Sequence, residues 1–312
     1  MDRFRNVVVG LDLSGDEHLV EEGPLRRFSR VALEKAIWVA RRNRAALHLL
    51  TTLDIDVIAE ELLRKAIDAG RPNVRDAALA RLDQLAAPAR EAGLAVTLSV
   101  EFGNPAAALL ADVAAHGRDL VVVGTRTRSA LARRLLGSTA RRLLIDCPAA
   151  VWVAREGPSH EFRTVLAPID FDGVAPDVLR LAESFATETG ARLHVAHVVD
   201  YSAEAVLRAG DADDELVAEY HRQREADARA RFDGLVGERL ERPSAAVRHL
   251  LAGSAAPVVL ELAGRLDADL VVMGARGSHD AGGRLLLGGT ADRVLPLLDT
   301  SLLVLKPRPV GA

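Results

Sequence analysis

The sequence predicts two tandem α/β units, each a doubly wound parallel sheet of five strands with helices on both faces. The segment Asp119–Gly124 (DLVVVG) recurs in the second half of the chain as Asp269–Gly274 (DLVVMG), which indicates an internal duplication. Apolar runs of strand length, rich in valine and leucine, alternate with longer stretches whose apolar residues recur every three to four positions. Because the strand-length runs are apolar throughout, both faces of each sheet are expected to be covered.

Further landmarks keep the same order in both halves of the chain. Asn6–Asp12 corresponds to Thr164–Asp170, and Leu135–Ala140 corresponds to Leu286–Ala291. A final apolar run follows each copy of the last landmark. Landmarks that stay in register over the whole length of both copies indicate that each half is a complete unit.

The first copy reads as alternating strands and helices, in the order expected of a doubly wound sheet. Its strands are predicted near residues 6–12, 46–52, 95–101, 119–124 and 149–154, and its helices near 29–43, 75–92, 105–116 and 133–144. The second copy repeats this order. Its strands are predicted near 164–170, 191–199, 246–251, 269–274 and 301–306, and its helices near 175–189, 213–240, 255–266 and 289–298.

The boundary between the copies is predicted in the polar segment 155–162, whose Gly157-Pro158 pair interrupts both helix and strand. We therefore expect domains at 1–156 and 160–312. A connection this short favours an intrachain pseudo-dimer in which the last strands of the two copies pair, and a homodimer of whole chains is expected as well.

Composition restricts the function classes. The 40 basic and 44 acidic residues give a formal charge of −4, and without a basic stretch we expect no nucleic acid partner. The apolar runs are shorter than a membrane span requires, so no membrane partner is expected. Cys147 is the single cysteine, and the N-terminus lacks the apolar stretch of a signal peptide, which together favour a cytoplasmic location.

Candidate ligand-binding residues follow the strands, because parallel sheets bind ligands outside the carboxyl ends of their strands. Asp12 and Asp170 end the first strand of each copy, and Gly124 and Gly274 end the fourth. A glycine-bearing loop then leads to a helix start, where backbone amides and hydroxyl groups suit a phosphate chain. The hydroxyl candidates are Ser138, Thr139 and Thr290. Ordinary turn and N-cap chemistry is the alternative explanation for these residues.

At these loops the sequence resembles the universal stress protein family, whose ATP-binding members carry G-x2-G-x9-G-(S/T) after the fourth strand. The resemblance covers nearly all of both copies and implies adenine nucleotide alpha hydrolase-like domains that bind ATP, with Mg²⁺ as the expected accompanying ion. Carried over, it implies that Asp12 and Asp170 meet the adenine and that Val198 lines the base pocket. The loop residues that would hold ribose and phosphates are Gly124, Arg126, Thr127, Gly137, Ser138 and Thr139 in the first copy, and Gly274, Arg276, Gly277, Gly288, Gly289 and Thr290 in the second.

The two copies depart from the family pattern in different ways. The first has Thr127 at the second motif glycine, although its nine-residue spacing is intact. The second keeps Gly277, but its spacer has ten residues and Gly289 stands where a hydroxyl is expected. Thr52 replaces the apolar base-pocket residue in the first copy, so nucleotide binding is expected slightly more in the second copy, and binding in both copies stays open.

The sequence supports binding more than catalysis, and we assign no catalytic residue. It contains no Walker-type lysine loop and no recognisable Ser-His-Asp set, and Arg126 or Arg276 alone would neutralise phosphate without activating a nucleophile. His194 and His197 lie three apart on a strand and therefore point to opposite faces, which disfavours a shared metal ion. The expected function is that of a stress-responsive ATP-binding module, with at most slow hydrolysis. The alternatives are a dimerisation scaffold without nucleotide and a nucleotide-dependent enzyme.

Overall fold

The structure is a computed structural model that describes most of the chain. The described residues are 3–13, 24–53, 55, 57–70, 73–125, 137–155, 162–275, 278–279, 285–286, 289–294 and 296–307. The chain divides into two compact units, Met1–His160 and Glu161–Ala312. Among the described helices, none is long and apolar enough to cross a lipid bilayer.

The first unit is a parallel five-stranded sheet in the order β3-β2-β1-β4-β5. Its strands are β1 (Asn6–Leu11), β2 (Ala46–Leu53), β3 (Val96–Phe102), β4 (Leu120–Gly124) and β5 (Ala150–Ala154). Its described helices are α1 (Arg27–Asn43), α2 (Val57–Asp68), α3 (Val74–Glu91), α4 (Pro105–His116) and α5 (Ser138–Asp146).

The second unit repeats this sheet in the order β12-β9-β6-β7-β8, again with parallel neighbours. Its strands are β6 (Thr164–Pro168), β7 (Arg192–Val199), β8 (Val247–Ala252), β9 (Leu270–Gly274), the short antiparallel pair β10 (Ser278–His279) and β11 (Leu285–Leu286), and β12 (Ser301–Leu305). Its described helices are α6 (Ala175–Thr189), α7 (Glu204–Ala209), α8 (Asp214–Arg239), α9 (Ala255–Arg265) and α10 (Gly289–Val294).

The predicted fold class is confirmed in both units. Strands β5 and β12 are buried along their whole length, as the continuous apolar runs predict for a sheet covered on both faces. In each unit the direction of chain winding reverses beside the first strand, between β1 and β4 and between β6 and β9. This reversal opens the crevice in which doubly wound sheets bind ligands.

The predicted helix bounds need correction at two loops. The helix expected near 133–144 begins in the described part of the chain at Ser138, because Gly137 is its N-cap residue with φ −59° and ψ 149°. The helix expected near 289–298 is shorter, ending at Val294. Helices α2 and α7, which follow the second strand of their unit, were not predicted. Both expose apolar side chains, including Ile58 and Val206. None of their described side chains is buried, whereas a core helix buries one apolar face.

Candidate functional site

A cavity of about 380 Å³ lies at the carboxyl ends of the strands in the second unit. It occupies the crevice between the ends of β6 and β9, beside the end of β7, where a doubly wound sheet binds its ligand. Its volume falls within the range of roughly 300–1,000 Å³ that small-molecule sites occupy. Its lining includes Ile169, Asp170, Phe171, His197, Val198, Gly274 and Thr290.

The segment after β6 forms one wall of this cavity. The Ile169 amide donates to the Ala196 carbonyl at 2.8 Å, which extends the strand pairing to the cavity mouth. Asp172 caps the following helix, because its carboxylate accepts the amides of Val174 and Ala175 at 2.9 and 3.1 Å. Asp170 is exposed at the mouth, and its carboxylate also accepts the Asp172 amide at 3.2 Å.

His197 contributes an imidazole that sequence reasoning considered only as a metal ligand. Its Nδ1 lies 2.9 Å from the Ile169 carbonyl oxygen, which can only accept, so Nδ1 carries the proton and Nε2 is left as an acceptor. Burial, reinforced by the charges of Arg231 and Arg224, holds the pKa of His197 below its ordinary value against the opposing effect of the Ile169 hydrogen bond. The ring is therefore neutral near pH 7.

An aromatic cluster continues the wall that His197 begins. The rings of His197 and Phe171 have centroids 4.1 Å apart at an angle of 36°, and the Arg231 guanidinium lies 4.3 Å from the Phe171 centroid. Flat, polarisable groups of this kind suit a planar ligand. The position of His197 next to Val198 in the sequence was the available signal, since both residues stand at the end of the same strand.

Gly274 and Thr290 border the cavity where the phosphate loop was predicted. Gly274 also has a structural role, because a Cβ atom there would lie 3.3 Å from Cγ1 of Val174. Gly289 begins α10, so the helix start places Thr290 at the cavity. Arg276, Gly277 and Gly288 lie outside the described residues, and their predicted contacts stay predictions.

In the first unit the equivalent positions are only partly described. Asp12 follows the end of β1, and its backbone amide donates to Ser29 Oγ at 3.0 Å. Gly124 ends β4 beneath the start of α1, where a Cβ atom would overlap the Phe28 carbonyl oxygen. Gly137 is the N-cap residue of α5, and Ser138 and Thr139 are its first residues, whereas Arg126 and Thr127 lie outside the described residues.

The histidines considered as metal ligands have separate partners. His194 Nδ1 lies 2.8 Å from His249 Nε2, whereas His197 contacts the Ile169 carbonyl. Cys147 is buried beside the end of α5. Within the described ranges, no three His, Cys, Asp or Glu side chains converge to form a metal site.

Known proteins of one family match both units of the chain. The sequence profile of the universal stress protein family matches residues 26–155 and 161–306. Universal stress protein E of Salmonella typhi is 27% identical over 227 residues, which is 70% of each chain. Universal stress protein G of Salmonella typhimurium is 31% identical over 147 residues, covering 46% of this chain and 99% of that protein.

A solved structure matches nearly the whole length of the chain. A putative universal stress protein from Pseudomonas aeruginosa UCBPP-PA14 superposes with a TM-score of 0.66 at 21% identity, covering 98% of this chain and 94% of that one. At this identity the likeness supports the fold alone. The two profile matches account for both α/β units, and the chain therefore belongs to the universal stress protein family.

Proposed function

We propose that the second unit binds ATP or a related adenine nucleotide and that the protein is a stress-responsive binding module rather than an enzyme. The observation that carries this proposal is the cavity at the winding reversal. Residues from four separate segments, Asp170, Val198, Gly274 and Thr290, border it together. These are the described second-copy positions nominated for adenine and phosphate, apart from Gly289, which begins the same helix as Thr290.

The chemistry of the lining suits an adenine base. Asp170 supplies a carboxylate that can accept a hydrogen bond from the exocyclic amine, and neutral His197 offers Nε2 as a second acceptor. Val198, Ile169 and Phe171 supply apolar and aromatic surface for the flat ring. The Thr290 hydroxyl is available to donate to a phosphate oxygen.

The described lining supplies binding groups: apolar and aromatic surface for the base, and the Thr290 hydroxyl toward the phosphates. Arg276, which the sequence nominates for phosphate, lies outside the described residues, and a single arginine would neutralise phosphate without activating a nucleophile. Magnesium would screen the phosphates of the bound nucleotide.

The test is equilibrium dialysis of ATP with Mg²⁺ against the whole chain and matched variants. Asp170→Ala removes the expected acceptor, and Val198→Trp fills the base pocket. Each should weaken ATP binding by about tenfold or more, because a hydrogen bond to a charged group or the base contact is lost. The equivalent first-copy variants, Asp12→Ala and Thr52→Trp, should leave most of the binding intact.

Two results would overturn the proposal. Absence of bound ATP at millimolar concentration would leave the dimerisation scaffold as the function of this fold. Loss of binding in Asp12→Ala and Thr52→Trp, but not in the second-copy variants, would move the site to the first unit.

A further inference from the structure

A second cavity of about 550 Å³ lies at the opposite end of the second sheet, where β6 and β7 begin. Three arginines border it, each from a different element: Arg163 precedes β6, Arg192 begins β7 and Arg265 ends α9. Thr164 and His194 are the other lining residues with polar side chains. This site lies at the amino ends of the strands and is therefore distinct from the proposed nucleotide cavity at their carboxyl ends.

The positive charge at this cavity is poorly compensated within the described part of the chain. Neither Arg163 nor Arg192 forms an ion pair with a described residue, and Arg265 has a 3.8 Å contact with Glu261 between two largely exposed side chains. An ion pair between exposed side chains gives little stabilisation, so Glu261 holds Arg265 only weakly. The nearby Asp269 carboxylate is occupied, because it accepts the backbone amides of Arg163 and Thr164 at 2.7 and 2.9 Å.

A pair of imidazoles extends inward from the arginines. His194 Nδ1 and His249 Nε2 lie 2.8 Å apart, with ring centroids separated by 5.1 Å at 16°. Burial lowers the pKa of both, and the charges of His249 and Arg192 add to the effect on His194, as Arg265 does on His249. One nitrogen of the contact donates and the other accepts, so at least one of the two rings is neutral while the hydrogen bond is formed.

In the first unit, the histidine equivalent to His194 lies beside a buried carboxylate of the protein itself. His48 occupies the same place on β2 and lies 3.7 Å from the carboxylate of Asp112. That carboxylate accepts Arg118 Nε at 2.8 Å and lies 2.9 Å from His116 Nδ1. Asp112 and Arg118 are both buried, so the anion beside this histidine belongs to the protein itself.

Strand register makes the correspondence between the two units explicit. His48 pairs with Thr97 in the first unit as His194 pairs with Val247 in the second. The aspartate just before each fourth strand, Asp119 or Asp269, accepts a backbone amide at the start of the first strand. Along the helix before the fourth strand, Leu262 takes the place of Asp112. The second unit has therefore lost the internal carboxylate.

Two of the three arginines, Arg192 and Arg265, stand where the first unit has alanines, whereas Arg163 corresponds to Arg5. Asn6 pairs with Ala46 in the first unit, and Thr164 pairs with Arg192 in the second. Counting back from the equivalent residues Asp119 and Asp269, Arg265 takes the place of Ala115. An internal anion has thus been replaced by an open cavity with cationic walls.

We propose that this cavity binds a small tetrahedral oxyanion with two negative charges, the chemistry of a phosphate or phosphomonoester group. Guanidinium groups from three directions and the Thr164 hydroxyl match the oxygens of such an anion. A bound dianion supplies the negative charge that Asp112 supplies in the first unit. Its field also favours the protonated form of the nearby histidines.

The test is isothermal titration of the whole chain with sodium sulfate and with inorganic phosphate at constant ionic strength. Sulfate is the main probe because it does not titrate near neutral pH. The Arg192→Gln/Arg265→Gln double variant should bind sulfate about tenfold more weakly or worse, since two charge-assisted contacts are removed. The charge-matched control carries Arg222→Gln and Arg229→Gln at two exposed positions of α8, and it should bind sulfate like the unsubstituted protein.

An imidazole readout keeps the proposal falsifiable if the double variant is destabilised. In NMR titrations assigned with His194→Gln and His249→Gln, sulfate should raise the pKa of His194 and His249 and leave that of His48 unchanged. The proposal fails if sulfate leaves these two resonances unmoved, or if the double variant binds sulfate as tightly as the control. It also fails if acetate binds as tightly as sulfate, which would indicate a carboxylate site instead.

Discussion

At the residue scale, His48 shows how burial determines the charge state of a single group. The side chain is 7% exposed, and its two nitrogens contact the hydroxyl groups of Thr97 and Ser99 at 2.8 and 2.9 Å. Burial lowers the pKa of His48 to about 4, and this effect outweighs the opposing attraction of Asp112. The native protein therefore keeps this imidazole neutral over a range in which the unfolded chain protonates it.

The expected consequence is a loss of stability in mild acid. Between pH 6.5 and about 4 the unfolded state binds a proton at His48 that the folded state does not, so the free energy of unfolding falls as the pH falls. At pH 5 this one group should account for about 2 kcal/mol of the loss relative to pH 7.5. Urea unfolding of His48→Gln at the two pH values should show a smaller difference than that of the unsubstituted protein. Equal differences in His48→Gln and the unsubstituted protein would contradict the assignment.

At the scale of elements, the glycines that end the fourth strands have equivalent neighbours. Gly124 meets the backbone of Phe28 at the start of α1, and Gly274 meets the side chain of Val174 just before α6. Close approach of a helix to a strand end therefore explains the glycine in both units, whatever ligand the loops hold.

The two contacts should differ in their tolerance of a methyl group. A Cβ atom at Gly124 overlaps a backbone carbonyl, which moves only with its helix, whereas at Gly274 it stands 3.3 Å from a side-chain methyl. Gly124→Ala should therefore lower the free energy of unfolding by about 1–3 kcal/mol, and Gly274→Ala by less. Urea denaturation of both variants checks this order, and an equal or greater loss for Gly274→Ala would refute it.

At the scale of the whole molecule, duplication has produced two units with the same sheet order and different charge arrangements. The first buries an internal network around Asp112, and the second presents arginines at the corresponding edge. At the other end of its sheet, the second unit has the cavity that we propose for ATP. The repeated fold thus supports sites that are not equivalent.

Hydrogen exchange with mass spectrometry should reveal this asymmetry directly. ATP at a hundredfold excess over its dissociation constant stabilises a binding unit by about 2.7 kcal/mol. Amides in 168–175 and 196–199 should therefore exchange more slowly with ATP, whereas those in 9–13 and 50–53 should not change. Equal protection of both sets would indicate two working nucleotide sites.

Sequence patterns were enough to predict the duplication, the order of the core strands and helices, and the location of Asp170, Val198 and Gly274 at the carboxyl ends of strands. These depend on apolar periodicity and on local turn residues, which are written into short stretches of chain. Helices α2 and α7 were missed: α2 carries a periodic apolar pattern although none of its described side chains is buried, and α7 has only six residues.

Contacts between side chains that are far apart in the chain became visible in the folded structure. It brought His197 against Ile169 and Phe171 at the proposed nucleotide cavity, and it brought Arg192 and Arg265 together at the opposite edge. Such contacts depend on strand register and helix placement, which join residues far apart in the chain. For that reason the sequence pattern predicted where a site lies, whereas the packing of strands and helices determines which side chains line it.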